Sequence, residues 1–339
     1  MGRLSNIELL RIVAMIMVLF LHCNYLSLGW IDYNDFLKNP ITSFSRALFE
    51  QLCVISVNVF VFISGWFGIR ANLKGLSSLI FQVLFYHVLI ILLFFILGLE
   101  VPITTVLMGF YFGASYWFVV AYLILYMFSP VLNIFIEHAS RKIYLRVLLF
   151  FYLFEFLFGW IFSISGAEFH HGYSALSFIG IYLLAQFIIK HTEKIKKQKT
   201  KIYFILYICC SCFPIVLFLV TKKMHHALDY SSPFVLISTI SFFFIFNRYN
   251  FSSRVINYLA CSSFSIYLVH QHPLIINYYI DFMNKMYNII GGLLYIPFLI
   301  LFALVFGLSC IIIDKVRILL WGKLSGIIFN NNALSNLKD

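Results

Sequence analysis

Of the 339 residues, 62% are hydrophobic and only 11% charged, where an ordinary soluble domain carries about 25% charge. Together with a mean hydropathy of +0.95, this excludes a soluble globular enzyme and reads as an all-α, multi-pass membrane protein. The net charge of +11 sits in short loops between apolar runs rather than on one basic face, which argues against a nucleic-acid partner.

Taking roughly 17 to 25 apolar residues per crossing, ten candidate spans follow in chain order, near 7–28, 48–69, 78–98, 115–136, 145–164, 173–190, 202–221, 232–247, 259–281 and 289–314. The first continues through Leu26 without a small-residue cleavage pattern, so it reads as a retained helix rather than a signal peptide. The run VPITTVLMGFYFGA at 101–114 is too short to cross and reads as dipping partway into the membrane. Loops kept in the cytoplasm are enriched in Lys and Arg. An N-terminus inside leaves Lys190, Lys194, Lys196, Lys197, Lys199 and Lys201 in one cytoplasmic loop, with only Lys38, Arg46, Lys222, Lys223 and Lys285 outside. The expected organisation is a membrane domain over 1–320, a cytoplasmic tail over 321–339, both termini inside, in the plasma or inner membrane. All seven cysteines lie in candidate spans and read as small apolar packing residues; no spacing specifies a metal site.

The first span, IELLRIVAMIMVLFLHC, holds Glu8, Arg11 and His22. Eleven helical residues rotate to within about 20° of the starting face and rise about 16 Å. Arg11 and His22 thus share a stripe, with Glu8 in ion-pair reach of Arg11. A charge near a span centre costs roughly 2.5 to 3.5 kcal/mol on insertion scales, so the stripe faces a polar cavity inside the bundle. Glu155, in FFYLFEFLFGW, is a second intramembrane ionisable group, and His87, in LFYHVLI, reads as packing.

The pattern E-x-x-R-x10-H in a first span resembles the membrane-bound acyltransferase-3 family. Further segments carry the resemblance in order: SVNVFVFISGWF at 56–67, ASYWFVVAYLILYMFSPVLN at 114–133, HGYSALSFIGIYLLAQFI at 171–188 and SSFSIYLVHQHPLI at 262–275. An R-x-x-R arrangement frequent in that family stands here as IRANLKG, with Arg70 and Lys74 more widely spaced. The resemblance implies transfer of an acyl group, usually acetyl, from cytoplasmic acyl-CoA to a hydroxyl of a cell-surface glycan or lipid-linked sugar. It implies Arg11, Arg70 and Lys74 on the polyanionic acetyl-CoA, and His22 as general base or as transient acyl carrier, direct transfer being preferred. Glu155 is the expected orienting partner of His22. Glu8, Trp117, Tyr173 and His270 are assigned to the substrate side, with Tyr116 a further aromatic there. A histidine-lined transporter or channel is the alternative, on the strength of His22, His87, His170, His171, His225, His226, His270 and His272.

Overall fold

Within a bilayer core no water answers backbone N–H and C=O groups, so a crossing segment must satisfy them itself as a helix. The computed structural model describes residues 4–109, 116–222 and 229–330, and every regular element among them is helical. In chain order these are α1 (Ser5–Leu21), which widens into a π turn at His22–Leu26, α2 (Tyr33–Lys38), α3 (Pro40–Cys53), α4 (Ser56–Phe67), α5 (Leu73–Ile96), α6 (Ile103–Met108) and α7 (Trp117–His138). Then come α8 (Arg141–Phe154), which runs into a π segment at Glu155–Ile161, α9 (Ala175–His191), α10 (Glu193–Lys196), α11 (Thr200–Thr221) and α12 (Pro233–Asn247). The chain closes with α13 (Arg254–Ala260), α14 (Phe264–His270), α15 (Pro273–Ile290) and α16 (Tyr295–Asn330).

Seven helical runs among the described residues are long and apolar enough to cross a membrane. The candidate spans at 173–190 and 232–247 correspond to α9 and α12, apolar helices of 17 and 15 residues. The ninth candidate, 259–281, is not one helix: it is divided into α13, α14 and α15. Pro273 has no N–H for the ladder and pushes His272 before it into extended geometry, φ −63° and ψ 134°. Its side chain there accepts the Leu274 N–H, 3.2 Å, and so opens α15. The described part of 101–114 forms the short α6, and α16 continues through residue 330. Lys223, His225, His226 and residues 331–339 lie outside the described residues.

Burial shows which helices are central. In the α3–α4 run 72% of the most apolar window is buried, against 28% in α5, whose Phe95 and Ile96 are more than three-quarters exposed. α4 packs directly on α9, where a Cβ at Gly65 would stand 2.9 Å from the Tyr182 main chain and from Ala185. A small residue at such a crossing lets two backbones approach, which is how membrane helices gain contact without a hydrophobic drive. The start of α1 is fastened to the α12–α13 connection: the Ser5 hydroxyl accepts the Ser253 N–H at 2.8 Å and donates to Asn257 at 3.0 Å, and Asn6 donates to the Phe246 carbonyl. α16 carries a buried ion pair. Asp314 receives both Nε and Nη2 of Arg317, at 2.6 and 2.8 Å, and the Tyr86 hydroxyl of α5 at 3.0 Å.

The turn between α4 and α5 is held by its main chain. The Ile69 N–H donates to the Tyr182 hydroxyl, that hydroxyl donates to Asn133 Oδ1, and Asn133 Nδ2 returns to the Ile69 carbonyl, at 3.0, 2.6 and 2.9 Å. The Tyr126 hydroxyl binds both the N–H and the carbonyl of Asn72. Arg70 and Lys74 flank this turn, both exposed.

Candidate functional site

The α1 stripe leads into a cavity of about 190 Å³. Met15, Val18 and His22, the positions above Arg11 on the same face, form one wall. The others come from Tyr25 and Trp30, Glu50 of α3, Val57 and Phe60 of α4, Trp117 and Phe118 of α7, Tyr173, Tyr230, and Phe264, Tyr267 and Gln271. Holding one water takes roughly 10–15 Å³, so this chamber admits a ligand group rather than a solvent molecule. It lies where the regular α-helical ladder of α1 changes to a π turn, a local irregularity that often accompanies function. The Ser27 hydroxyl returns to the His22 carbonyl at 2.8 Å and closes that turn.

His22 is oriented from behind by α14. His270, fully buried, has Nδ1 2.5 Å from the Ile266 carbonyl, and its Nε2 is 2.6 Å from His22 Nδ1. A carbonyl only accepts, so His270 Nδ1 carries the proton. In the neutral ring Nε2 then accepts, and His22 Nδ1 must donate to it. That leaves the lone pair on His22 Nε2. The Gln271 amide nitrogen lies beside the same ring, 2.8 Å from His22 Nδ1 and 3.5 Å from His22 Nε2.

A second histidine pair is closed on itself. The Leu274 N–H donates to His272 Nδ1, so His272 Nε2 carries a proton and donates to His87 Nδ1 at 3.0 Å, and His87 Nε2 donates to the Val106 carbonyl at 3.1 Å. Each ring nitrogen in that chain has a partner. Its work is to hold α5, α6 and the start of α15 together. Among the described residues no three His, Cys, Asp or Glu side chains converge as a metal site.

The structure brings His22, His270, Trp117 and Tyr173 to one place. Trp117 and Tyr173 meet edge to face at 5.1 Å, and Tyr230 lies 4.3 Å from Tyr173. Arg11 is below the chamber, bonded to Glu8 at 2.8 Å and about one-third exposed. Arg70 and Lys74 stand apart at the α4–α5 turn. Glu155 begins the π segment of α8, buried beside Ser177 and not on the chamber wall, so the partner of His22 is His270. Tyr116 is turned away as well, its hydroxyl donating to the Leu268 carbonyl near the end of α14. Sequence reading missed Glu50, Gln271 and Tyr230. Glu50 had a visible signal, a carboxylate just inside the start of an apolar run.

Tyr230 is delivered by a clamped loop outside the spanning helices. Asn58 donates to the Tyr230 carbonyl at 3.0 Å, and the Ser231 N–H donates to the His171 carbonyl at 3.2 Å. A Cβ at Gly172, whose φ is +90°, would lie 2.6 Å from both Ser231 N and Tyr230 Cβ. His171 Nδ1 reaches Asp229 Oδ2 at 3.0 Å. Burial pushes the Asp229 carboxyl up to about 6, against the opposing pull of His171. An acid whose pKa is raised in the folded state favours folding below its ordinary 3.8, and loses that contribution as pH rises through about 6. The thermal midpoint of the wild type, relative to Asp229→Asn, should therefore fall between pH 4 and pH 7. A difference that stays flat over that window would contradict it.

Apolar helices enclosing an aromatic chamber, with a histidine in its wall held by a second histidine, define a multi-pass membrane protein with a buried polar site. The sequence model of the acyltransferase-3 family, described as an acyltransferase domain, matches residues 4–313. The chain belongs to that family and is a membrane acyltransferase. Neither a curated protein nor a solved structure matches the chain.

Proposed function

We propose that the protein moves an acyl group, acetyl in the simplest case, from cytoplasmic acyl-CoA to a hydroxyl of a glycan or lipid-linked sugar, with the N-terminus of α1 on the cytoplasmic side. The observation that carries this reading is the α1 stripe: a guanidinium at Arg11, then Met15, Val18 and His22 along the wall of one chamber. Arg11, Arg70 and Lys74 supply cations at the same end of the bundle, and Arg70 and Lys74 make no side-chain hydrogen bond or ion pair among the described residues. Guanidinium groups suit bidentate contact with phosphate, the chemistry that a CoA diphosphate presents.

In the reaction so read, His22 Nε2 takes the proton of the acceptor hydroxyl while that oxygen attacks the thioester carbonyl. The C–O bond forms, the C–S bond breaks, and the CoA thiolate leaves to be protonated. His270 holds the His22 tautomer that makes Nε2 the base.

Titration of the purified protein with acetyl-CoA tests the donor side. Arg11→Ala should weaken binding roughly 10-fold to 100-fold, the worth of about 1.5–3 kcal/mol for a hydrogen bond to a charged group. Unchanged affinity would remove Arg11 from donor binding.

A further inference from the structure

Among the described residues Glu50 is the only acidic side chain on the chamber wall, and the reaction above leaves it unused. It is 3% exposed, at a depth where an ionisable group is costly unless it has work or partners. Its partners lie behind it, in the π turn that follows His22. Asn24 Nδ2 donates to Glu50 Oε2 at 2.5 Å. Arg46 Nε donates to Asn24 Oδ1 at 2.9 Å. Because a guanidinium only donates, this second bond fixes the Asn24 amide with its nitrogen toward Glu50. Arg46 is held in turn, near the Gly29 carbonyl and over the Tyr287 ring at 5.4 Å to the centroid.

Two consequences follow from that arrangement. Glu50 Oε2 is kept as a hydrogen-bond acceptor, since the amide nitrogen behind it can only donate. Its charge is also answered from outside the chamber, by Arg46 through Asn24. A carboxylate already balanced in this way calls for neutral donors on its open side rather than for a cation. The walls around it are aromatic: Tyr25 and Trp30 lie tilted to each other with centroids 4.0 Å apart, and Trp117, Tyr173 and Tyr230 form a second group. Apolar rings beside an acceptor of hydroxyl protons match a sugar, which has C–H faces and an edge of O–H donors.

We propose that Glu50 is the acceptor-recognition residue: its carboxylate receives hydroxyls of a carbohydrate lying against the Tyr25–Trp30 and Trp117–Tyr173–Tyr230 walls, so that one further hydroxyl faces His22. This rests on the reading of the chamber as the site of transfer. It makes Glu50 a determinant of acceptor binding, separate from donor binding.

The test compares wild type with Glu50→Gln by two readouts: binding of acetyl-CoA to purified protein, and mass spectrometry of surface glycans from cells expressing each form. A glutamine must turn its oxygen to the Asn24 amide and presents a donor to the chamber, so shape is kept and acceptor capacity is lost. The expected result is acetyl-CoA affinity within twofold of wild type and a loss of glycan acylation of at least tenfold. Glycan acylation equal to wild type would overturn the proposal, as would an equal loss of acetyl-CoA binding, which would place Glu50 on the donor side or in the fold. A wild-type product acylated on an ammonium-bearing molecule instead of a sugar would also overturn it. Failure of the wild type itself to bind acetyl-CoA would sink the underlying transfer reading, whatever Glu50 does.

Discussion

His22→Ala should lower acyl transfer by roughly 10²–10⁴-fold, the range that a positioned general base contributes, while the protein still inserts and folds. The expectation follows from the hydrogen-bond chain that ends on His22 Nε2: removing the imidazole deletes the one group whose tautomer is set by Ile266 and His270. The measurement is transfer of radiolabelled acetyl from acetyl-CoA in proteoliposomes, beside a thermal unfolding curve to confirm the fold. His270→Phe keeps a ring in the same space and loses the acceptor for His22 Nδ1. It should cost less than His22→Ala, and the double variant should be no worse than His22→Ala alone, because residues acting as one unit are not additive. Near-normal transfer by His22→Ala would remove the base from the proposed reaction.

The largest effect on stability is expected far from the chamber. Asp314→Ala leaves the Arg317 guanidinium, only 6% exposed, without its carboxylate, and leaves the Tyr86 hydroxyl without its acceptor. Breaking a buried pair by removing one partner costs about 3–5 kcal/mol. Replacing both, Asp314→Leu with Arg317→Met, should come much closer to wild type, since no charge is then stranded. Thermal unfolding in detergent checks this. A single variant as stable as wild type would show that the pair contributes nothing to holding α16 against α5.

How much of this was legible in the sequence depended on the distance over which each feature is specified. The Arg11–His22 stripe is local: helical periodicity alone places both residues on one face, and Met15 and Val18 between them do line the chamber. His270 stood among the substrate-side candidates, but its bond to His22 joins positions 248 apart, a pairing that no local pattern encodes. Glu155 was conspicuous because a carboxylate in an apolar run is costly. That cost says nothing about which neighbour satisfies it, and its place beside Ser177 comes from how α8 meets α9. The break in the ninth candidate span had a signal in the QHP tripeptide, outweighed by the apolar residues on either side. Tyr116 shows the opposite error. An aromatic near sugar-facing positions suggested stacking, yet its hydroxyl is spent on the Leu268 carbonyl beside that break.

The turn that carries Arg70 has a consequence for how such a protein can change. Tyr126, Asn133 and Tyr182 grip it only through the main-chain atoms of Ile69 and Asn72. The Asn72 side chain adds a bond to the Arg70 carbonyl and caps α5 at the Gly75 N–H, while the Arg70 and Lys74 side chains take no part, so either can be exchanged without rebuilding the loop. The two cations that the turn displays can then change, residue by residue, on a mount that stays still.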